Sequence, residues 1–299
     1  MPELDWQFTL VLIANGVMIG LMYTLIALGF VLVYKATDAI NFAQGEFVMF
    51  AAFIAAAAAY FGDLPFWICG LFALAGMTAL GFGLERVVLR PLIGRPVVAV
   101  IMATIGVALL LRGFATLVFG AGTRAIVMPI GDEPLFLGPI MLQPVQLVGA
   151  GVSLVFLAIF TWFFLCSRVG IAMRAVADSQ QVAMAMGIDV RRYFALAWAM
   201  AGIVSALAGI VWGAMLGVDN QLALVGLKVF PVVILGGLDS VIGAVVGGLI
   251  VGVVESLAAG YLDPYVGGGT KDFAPYVLMI LVLMIRPYGI FGRRLIERV

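Results

Sequence analysis

The chemistry available to this chain is confined to a few polar residues set among apolar ones. Asn41, Phe42, Ala43, Gln44, Gly45 and Glu46 lie in the stretch TDAINFAQGE, and Gly236, Gly237, Leu238, Asp239 and Ser240 form a second break, GGLDS. Amides, a carboxylate and a hydroxyl beside glycines can hydrogen-bond a polar solute, and interrupted helices add exposed backbone N–H and C=O groups to such a path. Each break also has a plainer reading. Residues 41–46 would serve as a loop at a membrane surface, and 236–240 as a tight turn whose Asp239 or Ser240 caps the helix that follows. Arg112 and Glu255 stand inside apolar runs, where an unpaired charge costs roughly 3 kcal/mol on insertion scales. Each therefore requires water or a partner, and a structural ion pair is as good a reading as a role in transport. Covalent chemistry is not expected. The chain has no histidine, which excludes Ser-His-Asp and Cys-His sites, and no HExxH pattern or paired-cysteine metal site is present. The two cysteines, Cys69 and Cys166, lack metal-ligand spacing, and the topology below puts them near opposite faces of a membrane, so no disulfide is expected. A GxxxxGK[ST] phosphate-binding loop is also missing. If nucleotide drives this protein, it binds to another subunit.

The elements that carry these residues follow from composition. Hydrophobic residues make up 65% of the 299 and charged residues 11%, against about 25% charged in an ordinary soluble domain. Repeated apolar runs of about 20 residues mean helical membrane spans, since lipid offers unpaired backbone groups no partner. A β-barrel would show short segments of alternating polarity instead. The formal net charge of zero gives no sign of nucleic-acid binding. Spans are expected at 8–34, 65–84, 97–119, 147–166, 194–216 and 273–290, with 47–61 short for a full crossing unless the polar break before it is lodged within the membrane. Residues 222–235 and 241–259 read as two further crossings, one of them short and broken.

Loop charge orients the bundle. Arg86, Arg90 and Arg95 mark one cytoplasmic loop, Arg168, Arg174, Arg191 and Arg192 another, and Arg293, Arg294 and Arg298 a cytoplasmic C-terminus. The long loop 120–146, with Asp132 and Glu133, falls outside. Parity then places the N-terminus outside, and the start MPELDW, acidic at Glu3 and Asp5, does not read as a cleavable secretory signal. The expected fold is an all-α polytopic transmembrane bundle of about eight to nine spans with broken helices near the midplane. It forms a single transmembrane domain over 1–299 with a cytoplasmic loop at 167–193. Gly243, Gly247, Gly248 and Gly252 are spaced for close helix packing, and the similar punctuation of the two breaks suggests an internal repeat.

Within the loop 168–192 a short helix is expected. Asp178 or Ser179 supplies the N-cap, 180–186 are good helix formers, and Gly187 supplies a left-handed end contacted by Ile188. Ala183, Met184 and Met186 give it an apolar face on the cytoplasmic side. That face either rests on the membrane surface or fits a cytoplasmic partner.

Five ordered motifs carry a family resemblance: AINFAQGEFVMFAAFIA, GLERVVLRPL, RAVADSQQVAMAMGIDVRR, VILGGLDSVIGAVVGGLIVGVVESL and IRPYGIFGRR. Together they cover nearly the whole chain, which resembles the LivH-type permeases of branched-chain amino acid ABC importers. The resemblance implies a multi-pass subunit of a prokaryotic inner membrane that translocates branched-chain or other hydrophobic amino acids. It implies as partners a second permease of the LivM type, two ABC ATPases that bind the ATP and magnesium, a periplasmic solute-binding protein and membrane lipid. Arg174, Ala177, Asp178 and Gly187, with Ala183, Met184 and Met186, would then belong to the coupling helix that docks in an ATPase groove, and 41–46 with 236–240 would line the path. Relatives that import urea, short amides or other amino acids leave the substrate open, as does the choice between a homodimer and a heterodimer. An ion-driven secondary transporter is the competing class. It requires acidic residues deep in the spans, and Glu255 is the one deep candidate apart from Glu46 at a break.

Overall fold

The computed structural model describes residues 6–292 except 38, 94, 132 and 139. Glu3, Asp5, Asp132, Arg293, Arg294 and Arg298 lie outside the described residues. Twelve α-helices appear among those described: α1 Trp6–Thr37, α2 Gln44–Gly62, α3 Phe66–Leu84, α4 Val97–Phe119, α5 Pro144–Cys166, α6 Arg168–Asp178, α7 Gln180–Ala185, α8 Val190–Leu216, α9 Leu224–Gly236, α10 Val241–Tyr261, α11 Asp263–Val266 and α12 Thr270–Ile285. Among the described residues seven helices are long and apolar enough to cross a membrane. The shorter Asn220–Gly236 segment and the 16-residue α12 complete a bundle that fits the eight-to-nine-span reading.

Four expectations change in detail. The helix expected at 47–61 begins at Gln44 and runs 19 residues, so Gln44, Gly45 and Glu46 occupy its first turn and supply the missing length. The expected loop after residue 84 continues α3 as a π turn, Glu85–Leu89, and a 3-10 turn, Arg90–Leu92. Its Glu85 carboxylate, almost fully buried, pairs with Arg90 at 3.0 Å. The outer loop holds a small antiparallel hairpin, β1 Leu135–Leu137 with β2 Ile140–Leu142, pairing Phe136 with Met141. The last span starts earlier and stops at Ile285, leaving 286–292 to fold back on the chain.

Contacts divide the chain into two compact units. One takes Leu28–Pro129 and Leu154–Gly226; the other takes Met1–Ala27, Ile130–Ser153 and Leu227–Val299. The first is built on α2, α3 and α8, packed on one another. Its core is dense with small side chains: Ala197, Ala201, Val204 and Ala206 of α8 are wholly buried, as are Val48, Ala51 and Ala52 of α2. Small residues let backbones approach, which is how helices gain dispersion contact where lipid removes the hydrophobic drive. The second unit packs α10 on α12, and the glycines expected to serve helix packing do so: Gly248 and Gly252 abut the backbone of Gly20 and Gly16 in α1. Asp263 fixes the start of α12 by accepting the hydroxyl and, at 2.8 Å, the backbone N–H of Thr270. Those bonds hold its carboxyl below the usual range.

Candidate functional site

The first break, 39–43, is enclosed by its own unit. Asn41 accepts the Ala43 N–H at 3.0 Å through Oδ1, and its Nδ2 donates to Gln44 Oε1 at 3.2 Å. Gln44 Nε2 donates to Ser205 Oγ at 2.9 Å, and Ser205 donates on to the Ala201 carbonyl at 2.7 Å. Thr104 Oγ1 takes the Phe42 N–H at 3.3 Å. Asn41, Gln44 and Ser205 are fully buried, and irregular backbone at membrane depth is tolerated where protein covers it and satisfies its groups. Phe42 alone of the six expected path residues is half-buried; Asn41, Ala43, Gln44, Gly45 and Glu46 are buried. Gly45 is set by packing, since a Cβ there would collide with the Ala223 carbonyl and crowd Gly226.

Glu46 and Arg112, read separately from sequence, form one pair at 2.7 Å. Glu255 finds Lys228 at 3.3 Å, and Lys228 also reaches Asp272 at 2.6 Å. Sequence reasoning passed over Lys228, Ser205, Thr104 and Glu85. Lys228 carried a usable signal, a cation inside the apolar run 222–235. Ser205 and Thr104 carried none that sets them apart from other small polar residues in helices.

The second break is closed by backbone rather than by side chains. Ser240 caps α10 by accepting the Gly243 N–H at 3.0 Å, so of the two expected caps Ser240 is the one used. Ile290 and Phe291 donate their N–H groups to the carbonyls of Leu235 and Gly236 at 2.8 and 3.1 Å. These are carbonyls that the end of α9 would otherwise leave unpaired. Gly237 takes φ +104° and abuts Gly292, a conformation and a clearance that exclude a Cβ. Gly236 and Gly237 are buried; Leu238, Asp239 and Ser240 are half-buried. Two sequence motifs, GGLDS and IRPYGIFG, therefore meet in one backbone joint.

The loop 167–193 holds two helices, where sequence anticipated one. Ser167 caps α6 by accepting the Gly170 N–H at 2.9 Å, and Ser179 caps α7 by accepting that of Val182 at 3.3 Å. Gly187, at φ +79°, ends α7 with the Ile188 N–H on the Ala183 carbonyl at 3.0 Å, the hydrogen bonding of a left-handed helix end. Gln180 Nε2 ties α7 to the Ala36 carbonyl at the end of α1, at 3.4 Å. Arg174 lies over the Phe164 ring and donates to the Leu165 carbonyl at 3.1 Å. Ala177 is half-buried and Asp178 exposed. One expected docking residue is corrected: Ala183 is 1% exposed and faces the unit's interior. The apolar surface offered by α7 and the Met186 that follows it is Val182, Met184 and Met186, at 62, 56 and 77% exposure.

The family model described as "Branched-chain amino acid transport system / permease component" matches residues 12–284. The permease LivH of a high-affinity branched-chain amino acid transport system in Salmonella typhimurium is 32% identical over 95% of this chain and 96% of its own length. BraD of Pseudomonas aeruginosa is 32% identical over 96% and 97% respectively. A probable LivH of Methanocaldococcus jannaschii is 29% identical over 91% and 89%.

Proposed function

The chain belongs to the branched-chain amino acid transport system permease family, and from that premise we propose that it moves branched-chain or other hydrophobic amino acids delivered by a periplasmic binding protein. The observation that carries the reading is similarity along 95% of the chain to such a permease, with the loop helices and both breaks inside residues 12–284 that the family model matches. The chain is a multi-pass membrane subunit of an ABC importer, a class that works with ATPase and binding-protein subunits. Its second permease is of the LivM type, and ATP and magnesium are bound by the ATPases, with no catalytic site in this chain. The N-terminus is periplasmic and the C-terminus cytoplasmic, in keeping with the basic loops at 86–95 and 168–192.

In this reading α7 docks on an ATPase through Val182, Met184 and Met186. Methionine suits such a surface, being flexible and polarizable enough to follow a moving groove. Ser179 and Gly187 make the helix a short rigid knob, and the Gln180 tie carries its displacement to the end of α1. A contact transmits closure only if its free energy differs between the two transporter states, and an exposed apolar knob that is covered in one state satisfies that condition. The test is uptake of radiolabelled leucine by proteoliposomes that contain both permeases and the ATPases, with loaded binding protein outside. Uptake should require ATP in the lumen and survive ionophores. Uptake that follows an ion gradient without ATP would replace this reading with a secondary transporter, and uptake of urea or amides in place of leucine would move the substrate.

A further inference from the structure

We infer that Lys228, Glu255 and Asp272 form a site for the charged head of an α-amino acid; the inference rests on the amino acid reading above. The three residues come from α9, α10 and α12, within one unit and at one end of it: Lys228 lies in the second turn of α9, Glu255 in the next-to-last turns of α10 and Asp272 in the first turn of α12. Lys228 Nζ stands 3.3 Å from Glu255 Oε1 and 2.6 Å from Asp272 Oδ1. An ion pair made only to hold three helices together would be expected to satisfy its buried atoms, because an ionised oxygen away from water costs more than the pair returns. This cluster does not. Glu255, its side chain 9% exposed, has Oε2 buried with no hydrogen-bond partner.

The unmet groups are of two kinds. Oε2 is an acceptor in want of a cation or donor, and Lys228 uses two of the three N–H donors of an ammonium on carboxylates. The ionised side chains sum to one negative charge, so the cluster as it stands favours one more cation. An ammonium with a carboxylate one carbon away supplies what each lacks: ammonium to Glu255 Oε2, carboxylate to Lys228. Asp272, at 58% side-chain exposure, gives the cluster a side open to the outside of the chain by which such a head could enter. Tyr23 of α1 is buried, and Tyr276 lies one turn along α12 from Asp272. Urea and short amides carry no such pair of charges, so this site separates amino acid import from the import of uncharged solutes.

The assembled complex is immobilised in detergent without binding protein, and displacement of radiolabelled leucine is measured for unlabelled leucine, 3-methylbutylamine, which lacks the carboxylate, and 4-methylpentanoate, which lacks the ammonium. Leucine should displace best, the amine should displace measurably and the acid should not. Asp272→Asn should weaken displacement by leucine and by the amine about tenfold, the effect of one charge-assisted hydrogen bond. Glu255→Gln should weaken it further, and because that side chain is buried the exposed Asp272 variant carries the conclusion if the Glu255 variant does not assemble. Equal displacement by the amine and the acid, or unchanged affinity in Asp272→Asn, would make the cluster a structural ion triad and overturn the inference while leaving ATP-driven leucine uptake intact. Absence of leucine uptake in the unaltered proteoliposomes would overturn the inference together with the function it rests on.

Discussion

The two helix interruptions, so alike in sequence position before small-residue helices, are closed in opposite ways. At 39–43 the unpaired backbone is met by side chains, Asn41 and Thr104, and locked by the Gln44–Ser205 bond. At 237–240 the carbonyls that the end of α9 leaves without a helical partner are met by the backbone N–H groups of Ile290 and Phe291. A side-chain closure depends on particular functional groups and can be released one bond at a time. A backbone closure tolerates changes in side-chain chemistry and depends on clearance, which is why the second joint is built on glycine.

The contrast predicts where each joint breaks. The largest effect is expected at Gly237→Val, where a β-branched residue must adopt φ +104° and displace Gly292. Strain of about 1–3 kcal/mol together with overpacking of about 1–3 kcal/mol should abolish the monodisperse complex in size-exclusion chromatography, and normal recovery would show that the C-terminal segment can leave the joint freely. Gln44→Ala comes next: it strips Ser205 and Asn41 of buried partners, at about 1–3 kcal/mol, and should lower the thermal midpoint in detergent without preventing assembly. An unchanged midpoint would mean that water replaces the amide and that the first break is wet. Ser240→Ala is the smallest, about 1 kcal/mol for a lost N-cap. A loss as large as that of Gln44→Ala would show the second break to depend on side chains after all and erase the contrast.

How far these joints were legible follows from the same difference. Composition and loop charge announced the spans, and the end of α4 at Phe119 and the caps at Ser179 and Gly187 were readable because capping chemistry is local in sequence. The partner of Arg112 was not, since Glu46 lies 66 residues away and nothing in either neighbourhood encodes the crossing of α2 and α4. Lys228 is obscured in sequence because the run around it reads as a buried short span. Ala183 is not distinguishable from its exposed neighbours in sequence, because apolar side chains in a six-residue helix do not reveal which side the unit covers. The joint between GGLDS and IRPYGIFG consists of backbone bonds, to which sequence pattern is blind except through its glycines.

Coupling of the spans to ATP hydrolysis through the exposed side chains of α7 is tested most directly by Met184→Asp combined with Met186→Asp in the reconstituted complex. Both side chains are more than half exposed, so the permease itself should fold and melt as before. Hydrolysis stimulated by loaded binding protein and uptake of leucine should both fall at least tenfold, a coupling loss of about 1.4 kcal/mol. Stimulated hydrolysis and uptake at the unaltered level would contradict this coupling and return α7 to the role of a helix resting on the membrane surface.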